Sequence, residues 1–197
     1  MKILLATTNR YKVQEIKEII PDVDFCSISD FTDHWDVEET GATFEENSFL
    51  KAKTAAHHFG IVSIADDSGL EIPILDNFPG VQSARFLEGH SFEDKMKAVL
   101  ERMSPFSKPE QRIAKFRTVA TYYDPLTGQW FYAEGVVEGI IADQIAGANG
   151  FGYDPIFIPK GFEQTFGELS DFVKNNFSHR SRAFQTLFER IKSEVEP

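Results

Sequence analysis

The stretch Ile61-Val62-Ser63-Ile64-Ala65 is an apolar run that reads as a buried strand. It leads directly into two adjacent carboxylates, Asp66 and Asp67, followed by Ser68-Gly69. A strand sends successive side chains to opposite faces, so one aspartate is expected to point at the structure beneath and the other outward. The Ser-Gly pair reads as a turn. A carboxylate held at the end of a strand suits a hard divalent ion, or the proton of an attacking water. The plainer alternative is a strand-to-turn corner whose aspartates bond nearby backbone N–H groups. For Asp-Asp-Ser-Gly taken alone, that alternative is favoured.

Strand and helix patterns mix along the whole chain. Lys2–Thr7 reads as a first buried strand, and Arg10–Ile20 as a helix with Val13, Ile16, Ile19 and Ile20 on one face and Pro21 closing it. Thr43-Phe44-Glu45-Glu46 has capping-box spacing and opens a helix that runs to Phe59, with Gly60 as its stop. Ser91–Asp94 is a second capping box, ahead of a helix that turns Met96, Val99, Leu100 and Met103 inward. Ile113–Tyr123 and Trp130–Ala142 read as a long hairpin across the turn Asp124–Gly128. Gly147–Asp154 is a glycine-rich loop, and a last helix starts near Ser178, burying Phe184, Leu187, Phe188, Ile191 and Val195. The class is α/β with at least one long antiparallel pair. The 197 residues fit one domain or one two-lobed unit.

Charge and cysteine usage narrow the function. With 31 acidic and 20 basic residues the net charge is −11, which weighs against non-specific nucleic-acid binding. An anionic small molecule remains compatible, because a few placed cations make a local site. The single cysteine, Cys26, sits in a strand-like segment and reads as a buried inert thiol. The first apolar run is too short for a signal peptide and nothing later approaches a membrane span, so a cytoplasmic location is the expectation.

Cations gather at helix starts. Thr7, Thr8, Asn9 and Lys12 surround the first helix N-terminus, Lys51 and Lys53 lie within the second helix, and Ser178-His179-Arg180 opens the last, with Lys174 just ahead. A helix N-terminus binds phosphate readily, but basic side chains there are disfavoured by a few tenths to about 1 kcal/mol. Either function or a partner carboxylate can explain Arg180. The first junction lacks the glycines of a P-loop, which weighs against a Walker-type ATPase. In Gly147–Pro155, two aromatics between glycines suit base stacking, and Asp154 suits acceptance from ring N–H groups; a turn packed into the core is the alternative.

Six segments stand in a fixed order: Ala-Thr-Thr-Asn-Arg-Tyr-Lys at 6–12, Glu-Glu-Thr-Gly-Ala-Thr-Phe-Glu-Glu-Asn at 38–47, Ile-Ala-Asp-Asp-Ser-Gly-Leu at 64–70, Pro-Gly-Val-Gln-Ser-Ala-Arg-Phe at 79–86, Phe-Gly-Tyr-Asp-Pro-Ile-Phe at 151–157 and Ser-His-Arg-Ser-Arg-Ala at 178–183. In this order the chain resembles the inosine triphosphate pyrophosphatase, or Ham1, family over nearly its whole length. The resemblance implies an elongated mixed β-sheet with two α/β lobes flanking a nucleotide-binding cleft, a single two-lobed domain over 1–197, and a homodimer. It implies Mg²⁺-dependent hydrolysis of inosine, deoxyinosine and xanthosine triphosphates to monophosphate and pyrophosphate, which cleanses the nucleotide pool.

Position by position, the resemblance makes Asp67 the general base or a metal ligand and Glu39 a second metal carboxylate. Thr7, Thr8, Asn9, Arg10, Tyr11 and Lys12, with Ser68 and Lys51, become the phosphate cradle. Phe151 stacks on the base, with Gly152, Tyr153 and Asp154 completing that wall, and Lys174, His179 and Arg180 face the purine edge. The family commonly has glycine where this chain has Thr8 and Tyr11. Two other readings compete: a Maf-like pyrophosphatase acting on modified pyrimidines, and a catalytically silent nucleotide-binding or dimerisation module. The His179-Arg180 pair and the Phe-Gly-Tyr-Asp loop argue against the first, and the retained Asp67 and Glu39 argue against the second.

Overall fold

The computed structural model describes residues 2–195; Met1, Glu196 and Pro197, the ends of the expected 1–197 domain, lie outside it. Seven strands and five α-helices follow one another as β1 (Lys2–Leu5), α1 (Arg10–Ile19), β2 (Asp24–Ser27), α2 (Phe44–Phe59), β3 (Ser63–Ile72), β4 (Phe78–Pro79), α3 (Phe92–Met103), β5 (Ile113–Tyr123), β6 (Trp130–Ile141), β7 (Phe157–Pro159), α4 (Asp171–Asn175) and α5 (His179–Glu194). The strands form one sheet in the order β2-β1-β3-β5-β6-β7, with β4 paired to β3. β1 runs parallel to β2 and β3, whereas β3–β4 and β6–β7 are antiparallel, so the sheet is mixed as expected. No helix among the described residues is long and apolar enough to cross a membrane.

The chain divides into two compact units, and the boundary falls within β3, β5 and β6. The first unit holds residues up to Ser68, Thr118–Gly135 and the chain from Ser178 on. Its sheet shows the two-residue period directly. Ile3, Leu5 and Ile64 pack with Ile16 of α1 and with Ala183, Phe184, Leu187 and Ile191 of α5. Leu4, Ala6 and Ala65 pack with Ala52, Ala55 and Ala56 of α2 and with Cys26. Burying each large apolar side chain contributes about 1.5–3 kcal/mol. Small alanines on α2 bring that helix close to the strands.

The helix ends follow the capping residues. Thr43 accepts from the Glu46 N–H, the Glu46 carboxylate accepts from the Thr43 N–H, and Gly60 closes α2 in the left-handed region at φ 66°. Ser178 caps α5 by accepting from the Ser181 N–H. The start of α5 lies directly on β6 at Gly135: a Cβ there would sit 2.0 Å from the His179 carbonyl oxygen and 2.5 Å from the Ala183 nitrogen. Gly135→Ala is therefore expected to displace the first turn of α5 and to cost about 1–3 kcal/mol, the usual scale of overpacking, read as a lower urea midpoint. An unchanged midpoint would show that α5 yields without cost.

The second unit comprises Gly69–Arg117 and Val136–Phe177. Its core joins Leu70 and Ile72 of β3, Met96, Val99 and Met103 of α3, Phe116, and Tyr153, Ile156, Phe157 and Phe166. One expectation fails here. Ser68-Gly69 is not a turn, because β3 continues through it to Ile72 and then pairs with β4. The two aspartates therefore sit inside a strand rather than at its end.

Candidate active site

The alternation of β3 separates the two aspartates. Asp66 shares its face with Ile64 and meets side chains of α1 and α5. Asp67 shares its face with Ala65 and meets α2. Neither points into open solvent, contrary to the expectation for one of them; they are 3% and 6% exposed.

Asp66 is the acceptor of a dense cation cluster. Its Oδ2 lies 2.9 Å from Lys12 Nζ and accepts from Arg180 Nη2 at 3.2 Å and from the Ser68 hydroxyl at 2.7 Å. Burial alone would push this carboxyl up, but Lys12 and Arg180 outweigh it and hold Asp66 far below the usual carboxylate range. Arg180 is also clamped by Glu15 of α1, whose carboxylate accepts from Nη1 at 2.5 Å. Burial, helped by the charges of Lys51 and Arg180, lowers the Lys12 ammonium from its ordinary value although Asp66 opposes this.

Asp67 has a different setting. Its Oδ2 accepts from Asn47 Nδ2 at 3.1 Å and its Oδ1 from Lys51 Nζ at 3.3 Å. Asn47 and Lys51 are one turn apart on α2, which places both on the face turned to β3. The Asn47 amide is itself fixed, since its oxygen accepts from the Gly41 N–H at 2.8 Å. Lys51 bridges onward to Glu39 Oε1 at 2.7 Å. Burial raises the Asp67 carboxyl, Glu39 adds to the rise, and Lys51 offsets only part of it. Two neighbouring carboxylates are thus driven in opposite directions, Asp66 well below the usual carboxylate range and Asp67 above it.

At the start of α1, the Asn9 side chain accepts from the backbone N–H groups of Tyr11 and Lys12 at 3.0 and 3.3 Å, and Thr7 Oγ1 accepts from the Asn9 N–H. Two of the N–H groups expected for phosphate are thus held by the cap. Thr8, Arg10 and Tyr11 are exposed. Ser68, expected in the same cradle, belongs to the Asp66 cluster and accepts from Arg180 Nη2.

In the second unit, Asp154 and Lys174 form a buried ion pair at 2.6 Å. Asp154 Oδ2 also accepts from the Phe151 N–H at 2.8 Å, and Lys174 Nζ lies 5.2 Å from the Phe151 ring centroid. Gly150 is required for this approach. It has φ 69°, and a Cβ there would meet Asp154 Oδ2 at 2.1 Å. Tyr153 is buried and donates its hydroxyl to the Ser83 carbonyl at 2.9 Å; burial raises its phenol.

Lys174 lies in α4, just ahead of α5 as expected, and His179 and Arg180 begin α5 in the first unit. The Arg180 guanidinium, expected at a purine edge, pairs with Asp66 and Glu15. Sequence reasoning missed Glu15, Asn47 and Thr118, whose hydroxyl lies 2.9 Å from that of Ser68. Asn47 was recoverable from its four-residue spacing to Lys51, and Glu15 from its three-residue spacing to Lys12. No group of three or more His, Cys, Asp or Glu side chains among the described residues is arranged to hold a metal ion.

The mixed sheet and the split aspartate pair define an α/β protein with a cation-rich buried carboxylate site. The Ham1 family model matches residues 3–190, and the chain belongs to that family. It is 43% identical over 198 residues to a dITP/XTP pyrophosphatase of Elusimicrobium minutum, covering 98% of this chain and 100% of the relative. It is 40% identical to the dITP/XTP pyrophosphatase of Christiangramia forsetii over 193 residues, 97% of this chain and 99% of the relative. The Staphylococcus aureus Ham1 protein superposes with TM-score 0.86 at 38% identity, over 98% of this chain and 100% of that one.

Proposed function

We propose that this protein hydrolyses inosine, deoxyinosine and xanthosine triphosphates to the monophosphate and pyrophosphate, with Asp67 as the base. The carrying observation is the different setting of two adjacent carboxylates: Asp66 is paired with Lys12 and Arg180, whereas Asp67 is held by Asn47 and Lys51, and burial pushes its carboxyl up. Asp67 takes the proton of a water that attacks the α-phosphorus; the α–β anhydride bond breaks and pyrophosphate leaves with its electron pair. Lys51, tied to both Asp67 and Glu39, orients the base and draws phosphate charge toward it. Lys12 supplies a second cation, and Thr7, Thr8, Asn9, Arg10, Tyr11 and Ser68 complete the triphosphate side.

Phe151, Gly152, Tyr153 and Asp154 are assigned to the base, with Lys174, His179 and Arg180 serving its selection. A 6-oxo purine accepts where adenine donates, and a donor facing a donor costs about 1–3 kcal/mol. The names of the relatives, dITP/XTP pyrophosphatase, support this substrate class. Asp67 and Glu39 suit Mg²⁺, which takes one or two carboxylates and completes its shell with substrate phosphates and water; when bound, it neutralises phosphate charge. The reading extends to one two-lobed domain, a homodimer and a cytoplasmic setting, the last supported by a lone, buried thiol at Cys26.

Incubation of the protein with inosine triphosphate, with and without Mg²⁺, is expected to yield inosine monophosphate and pyrophosphate on ion exchange. Inosine diphosphate plus orthophosphate as the products would sink the assignment.

A further inference from the structure

Helix α3 opens on Ser91, and its first residue, Phe92, is in helical register with the buried Met96, Val99 and Met103. Phe92 is 39% exposed, an unusual place for a phenylalanine at a helix start. Its ring nevertheless has three partners, all within the second unit. It meets Tyr153 edge-on with centroids 5.6 Å apart. It covers Gly152, where a Cβ would sit 3.6 Å from a ring carbon. Lys95 Nζ lies 4.8 Å from its centroid, within cation–π range.

Lys95 is the less expected of the two. It is 5% exposed, and its ammonium donates to the Ala84 carbonyl at 2.5 Å. Among the described residues no carboxylate forms an ion pair with it. Lysine is rarely buried to this degree without a charge partner, because the ammonium gives up strong hydration. Here a carbonyl and an aromatic face take the place of water.

The anchoring is shared. The Tyr153 hydroxyl donates to the Ser83 carbonyl and the Lys95 ammonium to the next one, at Ala84. One short stretch of chain thus ties down both the loop tyrosine and the ring that covers Gly152. Between Phe151, fixed by Asp154, and Tyr153, fixed by Ser83, stands Gly152 at φ 66°, the conformationally freest position of the loop.

We infer that Lys95 and Phe92 form a brace that positions the Phe151–Asp154 loop, which makes Lys95 a positioning residue for nucleobase binding. The base-binding half of this inference rests on the function proposed above, whereas the loop-ordering half stands on the contacts alone. The brace acts on how well the base is held and not on the anhydride chemistry, because neither residue belongs to the Asp67 group.

The test uses Lys95→Met, which keeps the stem and removes the ammonium, with Phe92→Leu, the double variant and Phe92→Tyr. Losing one cation–π contact is expected to raise KM for inosine triphosphate by about fivefold in Lys95→Met and in Phe92→Leu, with kcat within about twofold. The double variant should be no worse than the poorer single one, and Phe92→Tyr, which keeps the ring face, should match the unaltered protein. Amide hydrogen exchange across residues 150–154 should accelerate in the same variants. An unchanged KM with unchanged exchange, whatever happens to the melting temperature, overturns the inference, as does a fall in kcat at constant KM. If the unaltered protein hydrolyses no triphosphate, the proposed function fails, and exchange alone decides the brace. Should Lys95→Met not fold, the comparison of Phe92→Leu with Phe92→Tyr decides in its place.

Discussion

Asp67→Asn lowers turnover by about a hundredfold or more, the scale of losing a general base, while the protein keeps its fold. The amide cannot take a proton from water. Its oxygen still suits Lys51, but its NH₂ then faces the Asn47 Nδ2 donor, and Asn47 is held in place by Gly41. That donor-to-donor clash costs roughly 1–3 kcal/mol of stability, which a domain of this size tolerates. Steady-state kinetics with circular dichroism separates the two effects. The pH profile adds a second check. Because burial raises the Asp67 carboxyl, the acid limb of kcat/KM should lie above the ordinary aspartate range in the unaltered protein and vanish in the variant. Near-normal turnover in Asp67→Asn would remove Asp67 as the base. Asp66 would not inherit the role easily, since its cation cluster makes it a poor proton acceptor.

Arg180→Ala destabilises the protein by about 3–5 kcal/mol, the cost of stripping one partner from buried charges. Glu15 loses its guanidinium outright and Asp66 keeps only Lys12 and Ser68. The pH dependence has a definite sign. The folded-state value of Asp66 is depressed, so its stabilising contribution is present above the ordinary aspartate range and is lost as pH falls toward the depressed value. Without Arg180 the depression shrinks, and acid unfolding should begin at higher pH. Pairing Arg180→Ala with Glu15→Gln should recover part of the loss, because the buried carboxylate that has lost its guanidinium is neutralised. Urea titrations at several pH values measure all of this; a loss under about 1 kcal/mol at neutral pH would show that the ion pairs do no more than cover their own desolvation.

Local signals in the sequence were accurate where the physics is local. The capping pairs at Thr43 and Ser91 start α2 and α3 where they were expected, and Gly60 ends α2. β5 spans Ile113–Tyr123 as read, whereas β1 stops at Leu5, short of Thr7. Ser68-Gly69 misled because a turn propensity was overridden by tertiary pairing: Ser68 is tied to Thr118, and Glu71 and Ile72 pair with β4. The charged residues around Asp66 and Asp67 stood out singly in the sequence, but their pairing did not. A cation at the start of α5 signalled that something compensates it, and the compensation came from Asp66 and Glu15, which lie 114 and 165 residues away in the chain. Nothing in the local pattern of α5 carries that information. The link between Asp67 and Asn47 spans only 20 residues and was within reach of helical spacing.

Asp66 and Asp67 are the same amino acid one residue apart, so the division of labour between them is one of parity. Exchanging the two leaves the chain unaltered, and no substitution can transfer the base from one to the other. A single-residue insertion within β3 ahead of Asp66 could, since it would deliver Asp66 to Asn47 and Lys51 and remove Asp67 from them. A second insertion would restore the parity but move both carboxylates along the strand by a full pleat repeat, away from Lys12, Arg180, Asn47 and Lys51. The segment Ser63–Ala65, just ahead of the pair, is therefore expected to tolerate changes of side chain far better than changes of length, and a gap in it marks a relative that has lost the chemistry.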